Sequence, residues 1–162
     1  MMDRRQALLA GTAFLTCGLA GRQAQAVLAQ GDFPLSRSDE EWRDTLTAEQ
    51  FHILREAGTE YPGTSPLLNE EREGTFACAG CGQDLFASGT KYDSRTGWPS
   101  FWAPIEGAVG TTQDKSLGMV RIEVHCGNCG GHLGHIFNDG PRPTGLRYCI
   151  NGLALSFRPA EV

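Results

Sequence analysis

No apolar run in this chain is long enough to cross a bilayer as a stable helix. The one pronounced run, Ala7 to Ala20, falls short of the ~20 residues that a span requires. The chain also lacks a positive excess: 14 Lys and Arg stand against 19 Asp and Glu, a formal net charge of −5. An acidic protein gains nothing from attraction to a polyanion, so nucleic acid is not an expected partner. Long stretches free of chain breakers are scarce too. Glycine occurs 21 times and proline eight times in 162 residues, which argues against a helical bundle and for short strands joined by tight turns. The length suffices for one domain with a modest core and a leader or tail.

The N-terminus has the order of an export signal. Arg4-Arg5 precede the apolar run, and Ala24-Gln25-Ala26 and Val27-Leu28-Ala29 each offer small residues for cleavage. The paired arginines resemble a twin-arginine signal, the route that carries folded proteins across a bacterial membrane, so a periplasmic location is expected. Residues 1–29 are read as this signal, residues 30–37 as a polar linker and residues 38–162 as one domain, soluble and monomeric once cleaved. Phe14-Leu15-Thr16 before Cys17 is a poor lipid-attachment context.

Two short helices are expected first. Ser38 with Glu41, and Thr47 with Gln50, stand at capping-box spacing; Phe51 and Leu54 would face a core, and Gly58 would stop the second helix. Beyond Gly58 the pattern becomes that of strands. Met119 to His125 alternates strictly, with Val120, Ile122 and Val124 on one face. Arg147 to Ile150 and Leu153 to Phe157 also read as strands, joined by a turn at Asn151-Gly152. The body from about Gly74 to Arg158 is therefore mainly antiparallel β.

Of six cysteines, Cys17 lies in the leader and four form a short internal repeat. Cys78-Ala79-Gly80-Cys81-Gly82-Gln83-Asp84-Leu85 matches Cys126-Gly127-Asn128-Cys129-Gly130-Gly131-His132-Leu133, each a C-x-x-C-G-x-x-L knuckle. The glycine after each second cysteine suits a turn that cannot tolerate Cβ crowding. Two such knuckles can close a tetrahedral four-sulfur site, the geometry of structural zinc. Iron suits the same donors, and in an oxidising compartment each pair could instead form a disulfide or a redox-active motif. Two like knuckles argue against a redox motif, which needs only one.

Cys149 is left over, either as buried filler or as a reactive thiol. Arg147, two residues earlier on a strand, would share its face and favour the thiolate. His132 and His135 follow the second knuckle; four thiolates already complete a metal's ligand set, so these rings are free for acid–base work or for support of the site. Gly97-Trp98-Pro99-Ser100-Phe101-Trp102 is either core or an apolar wall for a small substrate group.

These segments, in order, strongly resemble the methionine-R-sulfoxide reductase B family. The residues that carry the likeness are Lys91-Tyr92-Asp93-Ser94 with Gly97 to Phe101, His132 to Pro141, and Pro143 to Asn151, together with both knuckles; the likeness extends from about Trp42 to Arg158. The resemblance implies two antiparallel sheets with small N-terminal helices, one structural zinc ion on Cys78, Cys81, Cys126 and Cys129, and Cys149 as nucleophile. It implies that the substrate methyl group rests against Trp98, with Phe137 also on the substrate side. His132, His135 and Asn151 would orient and protonate the sulfoxide oxygen, with Arg147 beside the nucleophile. Attack by the Cys149 thiolate on sulfur then yields methionine and a sulfenic acid, and the family acts on the R epimer. Many relatives carry a resolving cysteine where this chain has Thr96, so an external thiol, thioredoxin-like or small, is expected to regenerate Cys149. The expected substrate is oxidised methionine in peptides or proteins. Two other functions compete: a zinc-ribbon binding module without catalysis, and an electron carrier with iron between the knuckles.

Overall fold

A computed structural model describes residues 31–161. The expected export signal and Cys17 lie outside the described residues. Helix α1 (Asp39–Thr45) and helix α2 (Ala48–Glu56) open on the two capping boxes, each cap side chain accepting from the backbone N–H three residues on while that residue's side chain reaches back. Trp42, Phe51, Ile53 and Leu54 turn inward and are buried. Helix α2 stops just ahead of Gly58, as read, but without a left-handed conformation at the glycine itself. That conformation falls on Ala57 (φ 51°), and Gly58 is required because a Cβ there would lie 2.4 Å from the His52 ring. Replacing Thr47 with alanine removes the cap oxygen. It should lower unfolding stability by about 1 kcal/mol, read as a shift of the urea midpoint at unchanged slope.

Nine strands follow: β1 (Gly74–Cys78), β2 (Asp84–Ala87), β3 (Lys91–Tyr92), β4 (Ser100–Phe101), β5 (Val109–Asp114), β6 (Arg121–Cys126), β7 (His132–Phe137), β8 (Arg147–Ile150) and β9 (Leu155–Pro159). They form a three-stranded sheet, β2-β1-β9, and a six-stranded sheet, β3-β4-β8-β7-β6-β5, antiparallel at every pairing. The mainly β body with two antiparallel sheets and short leading helices is as expected. Aromatic rings join the sheets. Phe101 of the larger sheet stacks on Phe86 of the smaller at 4.3 Å between centroids and meets Phe76 edge-on at 5.0 Å. All three rings are fully buried, and truncating any one would cost about 3–5 kcal/mol.

Two strand expectations are corrected. The alternation from Met119 predicts one buried apolar face, yet Val120 and Ile122 are exposed and β6 begins only at Arg121. Its buried side chains are Glu123 to Cys126, because a register shift at Val124/His125 lets both faces of the strand's end enter the interior. Asn151-Gly152 is not a hairpin turn. β8 and β9 belong to different sheets, and a single 3-10 turn (Gly152–Ala154) carries the chain between them. Residues 31–37 lie against the second knuckle: Leu35 N–H donates to the Asn128 carbonyl (2.9 Å), and the Phe33 ring packs edge-on against His125.

Candidate active site and metal centre

The sequence repeat is a structural repeat. In the first knuckle Cys78 N–H donates to the Gln83 carbonyl and Gly82 N–H to the Cys78 carbonyl, both at 2.8 Å. In the second, Cys126 N–H donates to the Gly131 carbonyl and Gly130 N–H to the Cys126 carbonyl, both at 2.9 Å. Gly82 (φ 73°) and Gly130 (φ 67°) supply the left-handed residue that each turn needs. The knuckles cap β1–β2 of the small sheet and β6–β7 of the large one, so their meeting ties the sheets together at one end.

The sulfurs of Cys78, Cys81, Cys126 and Cys129 all lie within 4.8 Å of one another. The closest approaches run between knuckles, Cys78 to Cys129 at 3.8 Å and Cys81 to Cys126 at 3.5 Å, rather than within them as the disulfide alternative requires. Ligands at ~2.3 Å from a tetrahedral zinc ion sit about 3.8 Å apart, so the donor set fits such an ion. Cys78, Cys126 and Cys129 are buried and Cys81 is half-buried. Hydrogen bonding from Cys126 foremost pushes the Cys78 thiol up and the Cys81 thiol down from the ordinary value. A cation removes that conflict by accepting all four sulfurs as thiolates.

Cys149 is apart from this cluster. It sits on β8 between β4 and β7, directly opposite Ser100 and His135. Its half-buried side chain lines a cavity of about 130 Å³ together with Thr59, Trp98, Arg121, Gly134, His135, Phe137 and Asn151. Gly134 is required there, because a Cβ would fall 2.0 Å from the Cys149 carbonyl oxygen; only bare backbone lets β7 approach β8 so closely.

The two histidines take different places. On a regular strand a spacing of three puts side chains on opposite faces. The register shift in the β6–β7 pairing adds one residue to β7, so both rings come to the face of Glu123. His135 lines the cavity, with Nε2 at 2.8 Å from Asp114 Oδ2. His132 lies behind it, 5.4 Å away between ring centroids and held through Nδ1 by Glu123 at 2.8 Å; it is fully buried and does not line the cavity. Asp114 also binds Arg121 Nη2 at 2.7 Å and accepts from Ser116 N–H at 2.8 Å. Burial opposes its charge, but the Ser116 and His135 hydrogen bonds and the charge of Arg121 prevail and hold its carboxyl well below the usual range. Burial pushes the His135 ring below its ordinary value of 6.5, against the pull of Asp114. The ring is therefore neutral near pH 7. Facing an ionised carboxylate, its Nε2 carries the proton, which leaves Nδ1 as an acceptor.

Arg147 does less than the sequence reading assigned to it. Its Nε and Nη2 each donate to Asp139 at 2.8 Å, and its guanidinium lies 4.4 Å over the Phe137 ring. Burial pushes the Cys149 thiol up from its ordinary value; Thr96 and Arg147 pull it down without prevailing, and Asp139 adds to the rise. Arg147 favours the thiolate, as read from the sequence, but a guanidinium shared with Asp139 does not offset desolvation.

Asn151 lines the cavity but its amide is engaged, accepting from Glu60 N–H at 3.1 Å and donating to the Leu133 carbonyl at 3.0 Å. The aromatic cluster divides between its two readings. Trp98 lines the cavity, while Phe101 is core. The residues that sequence reasoning missed are those that hold the others. Glu60, buried, accepts from Trp98 Nε1 through its carbonyl at 3.2 Å, and its carboxylate takes the N–H groups of Gly152 and Leu153 at 2.5 and 3.0 Å. Asp114 and Glu123 orient the histidines. Glu123 was visible in sequence as a charge inside a strand, and Gly58-Thr59-Glu60 stood within the family resemblance without a role; Asp114 gave no signal until the chain was folded around it.

Residues 46–159 match the family model described as the SelR domain. The chain is 55% identical over 126 residues to a peptide methionine sulfoxide reductase MsrB of Agrobacterium fabrum, covering 77% of this chain and 93% of that protein. It is 57% identical over 123 residues to one of Saccharophagus degradans, covering 75% and 92%. A third, from Methanosarcina barkeri, is 51% identical over 128 residues, covering 78% and 90%.

Proposed function

The chain belongs to the SelR family of peptide methionine sulfoxide reductases, and from that premise we propose that it reduces the R epimer of methionine sulfoxide in peptides and proteins through a sulfenic acid on Cys149. One observation carries this reading. Cys149 shares a small cavity with Trp98, Phe137 and His135, while the other four described cysteines converge on a separate site. The apolar rings suit the substrate methyl group, and the polar side, His135 and Arg121, suits the oxygen.

The proton inventory sets the chemistry. At rest the thiol is protonated and His135 is neutral with Nδ1 free. Nδ1 takes the thiol proton, directly or through one water, and the resulting imidazolium is supported by Asp114. The Cys149 electron pair attacks the sulfoxide sulfur while the imidazolium returns its proton to the oxygen. The protonated oxygen then passes from the substrate sulfur to the Cys149 sulfur as the bond between the two sulfurs breaks, so methionine leaves reduced by two electrons and Cys149, now a sulfenic acid, is oxidised by two. An external thiol then attacks the sulfenic sulfur and releases water, and a second thiol frees Cys149 from the mixed disulfide. Thr96 stands beside Cys149 where a resolving cysteine would serve, and the remaining described cysteines belong to the knuckles. A thioredoxin-like or small thiol fills the role. Cys78, Cys81, Cys126 and Cys129 would hold one zinc ion, which would act structurally by neutralising four thiolates where the two knuckles meet. The Arg4-Arg5 leader supports a location for this repair outside the cytoplasm, on methionines of exported proteins.

Mass spectrometry after one turnover without reductant tests the proposal. A single added oxygen on the Cys149 peptide is expected, and an unmodified Cys149 after methionine has formed would refute it. The pH dependence follows from the same inventory. Below the His135 pKa, which lies under 6.5, the ring cannot accept the thiol proton; above the Cys149 pKa, which lies over 9.0, the proton needed by the oxygen is gone. kcat/KM should hold a plateau between these limits. Asp114→Asn removes the support of the imidazolium, so kcat/KM should fall roughly 10- to 100-fold and the acid limb should move to lower pH. An unchanged profile would take His135 out of proton transfer.

A further inference from the structure

The Cys149 sulfur meets a chain of hydroxyl groups. Thr96 Oγ1 lies 3.9 Å from Sγ, within reach of a sulfur hydrogen bond, and 2.8 Å from Ser94 Oγ. Ser94 Oγ lies 2.7 Å from Ser100 Oγ, which lies 3.1 Å from the Trp98 carbonyl oxygen. Ser100 is fully buried and directly opposite Cys149 across the β4–β8 pairing. Each hydroxyl has one proton to give, and the carbonyl at the far end can only accept. With a protonated thiol, every contact is made when all protons point toward Trp98: sulfur to Thr96, Thr96 to Ser94, Ser94 to Ser100, Ser100 to carbonyl. A thiolate can only accept. Thr96 must then turn toward the sulfur, Ser94 toward Thr96 and Ser100 toward Ser94, and the carbonyl contact is given up.

We propose that Thr96, Ser94 and Ser100 form a hydroxyl relay that reverses direction when Cys149 ionises, putting a charge-assisted hydrogen bond on the thiolate in place of a weak one from the thiol. The relay deepens the reading of Cys149 as nucleophile and rests on it. The thiol proton leaves toward His135, so the relay carries no net proton; it only turns. Charge-assisted bonds are roughly twice as strong as neutral ones, and each hydroxyl that donates along the chain makes the next a better donor. Thr96 touches the reacting sulfur, whereas Ser94 and Ser100 act through it as positioning residues. Other ionisable groups also face Cys149: Arg147 with its partner Asp139, Tyr92 from β3, His135 from β7 and Arg121 from β6. None of them depends on Ser94.

That independence supplies the test. The pH dependence of iodoacetamide labelling is followed on the Cys149 peptide by mass spectrometry, in the full-length zinc-loaded protein. Thr96→Val should raise the labelling midpoint by about one pH unit, Thr96→Ser should restore it, and Ser94→Ala, which leaves the sulfur's own contact in place, should raise it by about half as much. Ser100, fully buried, is left intact to protect folding, and equal melting temperatures establish that the variants are folded. Midpoints for Thr96→Val and Ser94→Ala that match the unaltered protein overturn the relay, as does a shift for Thr96→Val alone. The nucleophile reading fails separately: a Cys149→Ser protein that still reduces a sulfoxide peptide overturns that.

Discussion

Cys149→Ser should abolish methionine sulfoxide reduction, lowering kcat/KM by roughly three orders of magnitude or more, while leaving the melting transition within about 1 kcal/mol of the original. The two outcomes have different physical sources. Serine fills nearly the same space between Ser100 and His135, so little packing is lost. Its hydroxyl, however, is far less acidic than a thiol, and its oxygen cannot take over the sulfoxide oxygen as a sulfenic acid. Among the described residues, no other sulfur lines the cavity. Methionine release from a peptide carrying both sulfoxide epimers checks the effect. With the unaltered protein, consumption should stop at half of the substrate if only the R epimer is used. Activity retained by Cys149→Ser would mean that the nucleophile has been misassigned, and consumption of both epimers would remove the stereochemical part of the proposal.

Cys126→Ser should have an equally large effect on a different property. The residue is fully buried at the end of β6, and its sulfur is one corner of the four-sulfur cluster. Metal binding to such a set is worth about 10–16 kcal/mol in small zinc domains, comparable to the whole stability of a typical domain at about 5–15 kcal/mol. Three sulfurs with an oxygen in the fourth place bind zinc far less tightly, and the three remaining thiols, two of them buried, are left with conflicting proton demands. A loss of even ~4 kcal/mol, at about 4 °C per kcal/mol, lowers Tm by roughly 15 °C. Calorimetry together with zinc content by mass spectrometry checks this. Near-stoichiometric zinc and an unshifted transition in the variant would show that the knuckles do not stabilise the fold through a metal. Activity should fall along with folding, since the second knuckle joins β6 to β7, the strand that carries His135.

Much of the site was legible in sequence for a local reason. Cap spacing, the repeated knuckle and the glycines after Cys81 and Cys129 all concern residues within a few positions of one another, and the structure forms them as read. The errors share a cause as well. The alternation in Met119 to His125 was real, but a strand's burial depends on what covers each end of it, and among the described residues Val120 and Ile122 are left exposed. Asn151-Gly152 has hairpin chemistry, yet β9 pairs with β1 from the far end of the domain. The low-acidity thiol of Cys149 was also out of reach, because desolvation depends on enclosure by the whole fold while Arg147 is a neighbour in the chain.

Sequence alone determined the chemistry that this chain holds: one unpaired sulfur, four paired ones, two histidines and an aromatic cluster, each recognisable by residue type and short-range spacing. Tertiary structure decided which of these act together. One extra residue in β7 brought both histidines to one face, and Asp114 reached His135 from a strand 21 positions away. Glu60 bound a carbonyl contact of Trp98 and the turn after Cys149 into one frame across more than 90 residues of chain. Such partnerships form only when distant segments fold onto one another, because hydrogen bonds and burial are set by distance in space and carry no fixed spacing along the chain.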